Sequence, residues 1–369
     1  MEDRLQQARE TIREADADLA AAFERRMTAV RDVADYKQAH GLPVLDKAQE
    51  ARVLERCAAL VRDTELKGYF IRLMEQTMTL SRQYQMHRMD GMRVAYSGVE
   101  GAFAFVAAKR IFPQASLIAH ASFSDAYNAV TQGDCDVAVI PIENSNAGEV
   151  GTVTDLMFAG DLFINGVYTM PITQNLLGIA GASAAGIRRV VSHPQALSQC
   201  AAYIRAHGWQ TESAENTAIA AKHVAAANDP TLAAIASAET ARLYDLRILD
   251  HDINESKANT TKFAVFSRAE NEKSARNRQF ILLFTVRDET GSLAKAINVI
   301  SDCGFNMQAL RSRPVKDRDW QYYFYVEGQG SLATPQGERM LHLLSKQCET
   351  LKVVGQYTAQ IALKEDEEA

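Results

Sequence analysis

The sequence predicts a multidomain protein, with an all-α helical N-terminal domain, an α/β two-lobed middle domain and an α+β C-terminal domain. Three changes of texture point to it. Residues 1–89 hold one proline, Pro43, and two glycines, Gly41 and Gly68, so little interrupts a helix there. From Met92 short apolar runs alternate with alanine-rich stretches, and glycines cluster between them, the pattern of strands joined by helices. After a polar, charged linker at 268–278, strand-like and helix-like segments follow in the order βαββαβ. The domains implied are 1–90, 91–270 and 277–362, and 369 residues suffice for more than one core.

In the first domain Leu5, Ile12, Leu19, Phe23, Val30 and Val33 recur at threes, fours and sevens, which lays them along one stripe of a helix ending near Gln38. A helix this long cannot bury its stripe alone, so it needs partner helices or a second chain. His40-Gly41-Leu42-Pro43 stops it, and helices over about 46–63 and 65–89 follow. Three helices make a small core, which again favours a homodimer or higher homo-oligomer. The middle domain should carry strands at 93–96, 137–140, 189–192, 233–236 and 263–266, in two lobes with a cleft between them. The last domain opens on a buried strand at 280–286. A helix near 292–303, strands at 307–313 and 321–326, a helix near 335–347 and a strand at 351–357 complete a ferredoxin-like module. The acidic stretch 365–368 is expected to be disordered.

Composition excludes several classes of function. The net charge is -6 with no basic tail, so no nucleic-acid partner is expected. Five scattered cysteines without a CxxC pair fit a reducing cytoplasm rather than a disulfide framework or zinc knot. The first ten residues lack the apolar core of a signal peptide. No apolar run approaches the ~20 residues that span a bilayer, so no membrane partner is expected. Gly98-Val99-Glu100-Gly101 is not GxGxxG, no phosphate-binding GxxxxGKS/T occurs, and no metal-ligand set is visible. Neither cofactor nor metal is expected.

Arg26 and Lys37 lie eleven residues apart, close to three turns, so both point to one side of the first helix. Arg9 lies further back on it. Asp46 and Glu50 form an i,i+4 pair on the second helix, and Ser81 and Gln85 do so on the third. Each pair alone reads as a solvated surface pair. Together they resemble the all-helical chorismate mutase family. The resemblance implies Arg9, Arg26 and Lys37 around a dicarboxylate substrate, chorismate, with Arg9 reaching across a dimer into the neighbour's site. Asp46 and Glu50 would meet the ring hydroxyl, Ser81 and Gln85 would complete the pocket, and Lys37 and Gln85 would donate to the breaking ether oxygen. Rearrangement to prephenate needs no proton transfer and no nucleophile, only a clamped conformer and stabilised charge. The family usually has arginine just before the glutamate, but here it is Gln49. Losing a charge-assisted contact costs about 1.5–3 kcal/mol, which would weaken the mutase.

Three motifs mark the middle domain. Pro141-Ile142-Glu143-Asn144-Ser145 ends a strand in a polar turn. Ser192-His193-Pro194-Gln195, with Gln199 beyond it, ends a strand at a helix start, where free amides favour anions. Asn259-Thr260-Thr261-Lys262-Phe263 enters the final strand. Singly each could be capping chemistry, with Ser192 and Asn144 as turn or cap residues. In this order they resemble prephenate dehydratase, matching its PIEN, SHPQ and TRF-type motifs. Lys262 replaces the arginine, which keeps the charge and loses the bidentate fork. The resemblance implies that prephenate loses its ring carboxylate as CO2 together with its 4-hydroxyl. Thr261 would be a positioned donor to the leaving hydroxyl, and Glu143 the acid if burial raises its pKa. Asn144, Ser192, Gln199, Thr217 and Lys262 would hold the substrate. His193 reads as a structural histidine turned to the backbone rather than a base.

In the last domain Gly291-Ser292-Leu293-Ala294 and Leu310-Arg311-Ser312-Arg313-Pro314 resemble the GALV and ESRP motifs of ACT regulatory modules, which bind an amino acid between paired domains. The resemblance implies phenylalanine as effector, held by Gly291, Ser292, Leu293, Ala294, Leu310, Arg311, Ser312 and Arg313. Arg311 stands where that family has glutamate. The combined expectation is a bifunctional enzyme of phenylalanine biosynthesis. Two alternatives are a monofunctional dehydratase with a dimerising helical arm and a non-catalytic small-molecule sensor.

Overall fold

The computed structural model describes residues 2–271, 276–316 and 320–363, so the disorder expected at 365–368 lies outside the described residues. The chain divides into two compact units, Met1–Arg93 and Val94–Ala369.

The first unit is all helix. Glu2–Ala39 runs for 38 residues because its helix breakers lie just beyond it, at Gly41 and Pro43. Lys47–Leu60 starts on Asp46, whose carboxylate accepts the Gln49 N–H at 2.9 Å. Lys67–Asp90 packs against both. The apolar stripe of the long helix has two fates. Of its members Val30 is half-buried, whereas Leu5, Ile12, Leu19, Phe23 and Val33 are exposed; beside them Ala34 is buried, as are Cys57 and Met78 on the other helices. Every residue from 3 to 25 is exposed within the chain.

The second unit is built on two sheets. The larger has eleven strands among the described residues. Its order is Asn306–Pro314, Tyr322–Gln329, Gln279–Thr285, Thr350–Tyr357, Phe163–Pro171, Thr260–Ser267, Val137–Asn144, Arg93–Ser97 and Ser116–His120. Gln360–Ala362 lies beside Phe163–Pro171, and Gly148–Glu149 beside Val137–Asn144. The smaller sheet runs Arg247–Asp250, Asn175–Gly178, Leu232–Ala236, Arg189–Ser192, Gln210–Ser213. The chain enters the smaller lobe after Phe163–Pro171 and returns before Thr260–Ser267, so the two lobes share a double crossing.

The strands Gln279–Thr285, Asn306–Pro314, Tyr322–Gln329 and Thr350–Tyr357 and the helices Ser292–Asp302 and Pro335–Ser345 keep the expected βαββαβ order. Their sheet is continuous with that of the middle strands. Thr350–Tyr357 joins the middle strands through the pair Gly355↔Ile164. A Cβ on Gly355 would meet the Ile164 carbonyl oxygen at 2.2 Å, so only glycine allows that approach. One buried cluster spans the join, with Ile281, Leu283, Tyr323 and Tyr357 beside Ile140, Met157, Ile164 and Phe266. The described parts of the linker are also tied down: Arg268 donates to the Cys135 carbonyl at 3.0 Å, and Asn271 Nδ2 to the carbonyls of Asn165 and Gln356 at 2.8 Å. No described helix is long and apolar enough to cross a membrane.

Candidate active sites

In the helical unit the long helix supplies Arg26 and Lys37, and the third helix packs against it with Ser81 and Gln85. Arg26 Nη1 donates to Ser81 Oγ, and burial draws the guanidinium below its ordinary pKa. Lys37 Nζ donates to the Val44 carbonyl at 2.6 Å. Gln85 is buried, with Nε2 on the Ser81 carbonyl at 3.3 Å and Oε1 lacking a hydrogen-bond partner among the described residues. A buried acceptor left bare is costly, so a bound group with a proton to give would be stabilised there.

The carboxylates are arranged differently from expectation. Asp46 is exposed and its side chain is engaged as the cap of the second helix, so it is not gathered with the cluster. Glu50 is held by Arg82 Nη1, whose Nη2 donates to Thr79 Oγ1 at 2.9 Å. The sequence does not single out Arg82, although it stands next to Ser81 and brings a cation beside Glu50 where Gln49 has none. Arg9 lies seventeen residues before Arg26, about 25 Å along the helix, and cannot join it within one chain.

In the second unit a cavity of about 1090 Å³ is lined from both lobes. Thr261 pairs across the sheet with Asn144, and Lys262 with Glu143. Strand neighbours face opposite sides, so Thr261 and Asn144 line the cavity while Lys262 and Glu143 do not. A bulge between Lys262 and Phe263 leaves Ile142 as the extra residue opposite, so Pro141 as well as Asn144 reaches the cavity wall.

Asn144 is fully engaged. Its Nδ2 donates to Asn259 Oδ1 at 2.8 Å and Thr261 Oγ1 at 2.9 Å, and its Oδ1 accepts the amides of Asn146 and Ala147 at 3.0 Å. It therefore orients Thr261 rather than offering hydrogen bonds of its own. Because Thr261 Oγ1 accepts here, its hydroxyl proton stays available to donate. Gln199 and Thr217 line the cavity. His193 lines it too and caps its helix, with Nδ1 accepting the Gln195 amide at 3.2 Å, which leaves the proton of a neutral ring on Nε2. Gln174, which no motif marks, is buried at the wall with Oε1 unpartnered among the described residues.

Three expected residues are corrected by the direction of their strands. Ser192 is fully buried and its Oγ donates to the Ile235 carbonyl at 2.6 Å inside the smaller lobe, away from the cavity that its neighbour His193 reaches. Lys262 Nζ lies 3.0 Å from Glu143 Oε2 and 3.3 Å from Glu327 Oε2, so it is not placed to hold a ligand in the cavity. Glu143 is gripped by Lys262 and Arg311 and is not placed to protonate anything there. Burial pushes the Cys200 thiol up to about 12, so it offers no nucleophile.

The cavity's charge is also unexpected. Among the described residues no lysine or arginine lines it. Instead five helices begin at its wall: Phe103–Ile111, Phe123–Gln132, Gly151–Ala159, Pro194–Gln199 and Thr217–Ala227. Those starting at Phe103 and Gly151 have no side-chain cap. Their first amides and dipole ends supply a positive potential suited to an anion, set against the carboxylates of Glu149 and Glu215, which also line the cavity, the first of them paired with Arg313.

In the C-terminal strands Arg311 and Arg313 are not free for an effector. Arg311 donates to Glu143, while Arg313 bonds Glu149 at 2.7 Å and Asp155 at 3.0 Å. Leu310 and Ser312 alternate with them and are exposed. Gly291, at φ +83, precedes the helix that carries Ser292, Leu293 and Ala294.

Comparison with known proteins follows the same division. Residues 94–271 match the family model for prephenate dehydratase, and residues 8–86 that for chorismate mutase type II. A bifunctional chorismate mutase/prephenate dehydratase of Enterobacter agglomerans is 30% identical over 93% of this chain and 92% of its own length. A solved structure described as GqqA, a novel type of quorum quenching acylases, is 30% identical with a TM-score of 0.67, covering 73% of this chain and 98% of its own. Prephenate dehydratase of Arthrobacter aurescens in complex with L-Phe has a TM-score of 0.67 at 24% identity, covering 73% of this chain and 90% of its own.

Proposed function

Since this chain belongs to the bifunctional chorismate mutase/prephenate dehydratase family, we propose that Thr261 drives the dehydration of prephenate in the cavity and that the helical unit forms prephenate from chorismate. One observation carries the dehydratase assignment: Asn144 donates to Thr261 Oγ1 at 2.9 Å, leaving the threonine proton free at the wall of an anion-attracting cavity. In the reaction the bond between ring carbon and carboxylate breaks and releases CO2. Its electron pair enters the ring, and the 4-hydroxyl departs as water with one proton taken up from solvent. Thr261 donates a hydrogen bond to the departing oxygen, where negative charge develops, and the helix starts hold the carboxylates.

For the rearrangement, Arg26, Lys37, Ser81 and Gln85 clamp chorismate, with Glu50 set by Arg82. Arg9 comes from a second copy of the chain, and the exposed stripe Leu5, Ile12, Leu19 and Phe23 supports that homodimer. The domains then run 1–90, 91–270 and 277–362 in a cytoplasmic enzyme. The last is an ACT module of ferredoxin-like fold that binds phenylalanine near Gly291–Ala294, Leu310 and Ser312.

Incubating the purified chain with chorismate and following both prephenate and phenylpyruvate tests the whole proposal. Phenylpyruvate from added prephenate but nothing from chorismate would reduce the helical unit to a dimerising arm. Phenylalanine is expected to inhibit dehydration, spare the rearrangement and raise the melting temperature by mass action. A calorimetric titration without heat, together with an unmoved melting temperature, would remove it as the effector.

A further inference from the structure

Four charged side chains meet on the face of the large sheet that turns away from the cavity. Glu143 accepts from Arg311 through Oε1, and its Oε2 lies 3.0 Å from Lys262 Nζ. Lys262 also reaches Glu327 Oε2 at 3.3 Å. Glu327 is 1% exposed, and its other oxygen accepts from Tyr357 Oη at 3.1 Å and Gln360 Nε2 at 2.6 Å. Arg311 lies over the Tyr325 ring, 5.3 Å from its centre. Two of the four residues come from strands that wall the cavity and two from the C-terminal strands. The cluster balances two cations against two carboxylates. Glutamate at 311 would set three carboxylates against one lysine, so the lysine at 262 and the arginine at 311 suit each other.

The path from this cluster to the cavity is one peptide long. Glu143 precedes Asn144, Lys262 follows Thr261, and the two pairs face each other in register. We propose that Arg311 is a positioning residue: by holding Glu143, and through it Lys262, it sets the Asn144–Thr261 contact and makes that contact answer to the C-terminal strands. Its effect on turnover rests on the dehydratase reading, whereas its effect on the strands does not. Arg313 anchors the same strand through Asp155 and through Glu149, the cross-strand partner of Glu143, which keeps the strand seated when Arg311 is changed.

The test uses the full chain carrying Arg311→Glu, Glu143→Arg or both. Amide hydrogen exchange over 141–147 and 259–263 is expected to quicken ~10-fold or more in each single variant and to return to within about 2-fold of the parent in the double variant. Phenylpyruvate formation should follow, with kcat down ~10-fold at nearly constant KM in the single variants and recovery in the double. Prephenate formation from chorismate should stay unchanged throughout. Arg311→Gln removes the charge without reversing it and should show the same direction at smaller size, so the test survives if a reversed variant does not fold. Unaltered exchange in Arg311→Gln and Arg311→Glu would overturn the proposal. So would a double variant that loses as much as the two singles combined. If the parent makes no phenylpyruvate, the dehydratase reading fails, and the exchange comparison still decides whether Arg311 positions the strands.

Discussion

Thr261→Val lowers the turnover of prephenate at least ~100-fold in the expected outcome, about 2.7 kcal/mol of barrier. Valine keeps the shape and removes the hydroxyl, so the departing oxygen loses its donor where charge develops. KM should move much less, because the contact tightens as the carbon–oxygen bond breaks. The change has a second consequence. Asn144 Nδ2, 2.9 Å from Thr261 Oγ1, loses one acceptor and keeps Asn259 Oδ1 and the Thr260 carbonyl, which costs about 0.5–1.5 kcal/mol of stability. Turnover must therefore be measured well below the variant's melting temperature. Thr261→Ser restores the hydroxyl and should recover most of the rate. Full turnover in Thr261→Val would move the donor's role to His193 or Gln174, since Glu143 faces the other side of the sheet.

Arg26→Ala should separate the two activities. The guanidinium is half-buried and bonded to Ser81 Oγ, where a dianion would sit. Its loss is expected to reduce prephenate formation from chorismate ~100-fold or more, the scale seen when one preorganised donor to developing charge is removed. Dehydration of added prephenate should remain close to the parent rate, because the cavity belongs to the other compact unit. Parallel loss of both rates, with the circular dichroism unchanged, would contradict the assignment of two sites.

Helices and strands were legible in the sequence where periodicity and breakers agree. Gly41 and Pro43 end the long helix, and each strand expected in the middle domain is present, two of them extended to Val137–Asn144 and Thr260–Ser267. Those extensions decide the site. Pro141–Asn144 and Thr261–Phe263 lie inside strands, and a strand sends neighbours to opposite faces, so each motif is half cavity wall and half charged cluster. Had alternation been applied to the motifs, Glu143 and Lys262 would have separated from Asn144 and Thr261 at once. Other features leave no such trace. Backbone amides at helix starts carry no letter, so the anion-attracting wall is hidden behind Ala102, Phe103, Val150 and Gly151. The Gly355↔Ile164 join links distant residues that nothing local announces. Arg82 was visible as a cation but not as the partner of Glu50, because that contact depends on how two helices pack.

A cavity lined, among the described residues, by neither arginine nor lysine has a consequence for how each cycle ends. Prephenate arrives with two negative charges, and phenylpyruvate departs with one, the other having passed with the electron pair to the leaving hydroxyl and been neutralised there by the added proton. Helix dipoles are fixed in place and act on whatever charge is before them. The wall that gathers the dianion thus grips the monoanion less strongly, with no side chain needing to change protonation or swing aside. Product release is prepared by decarboxylation itself.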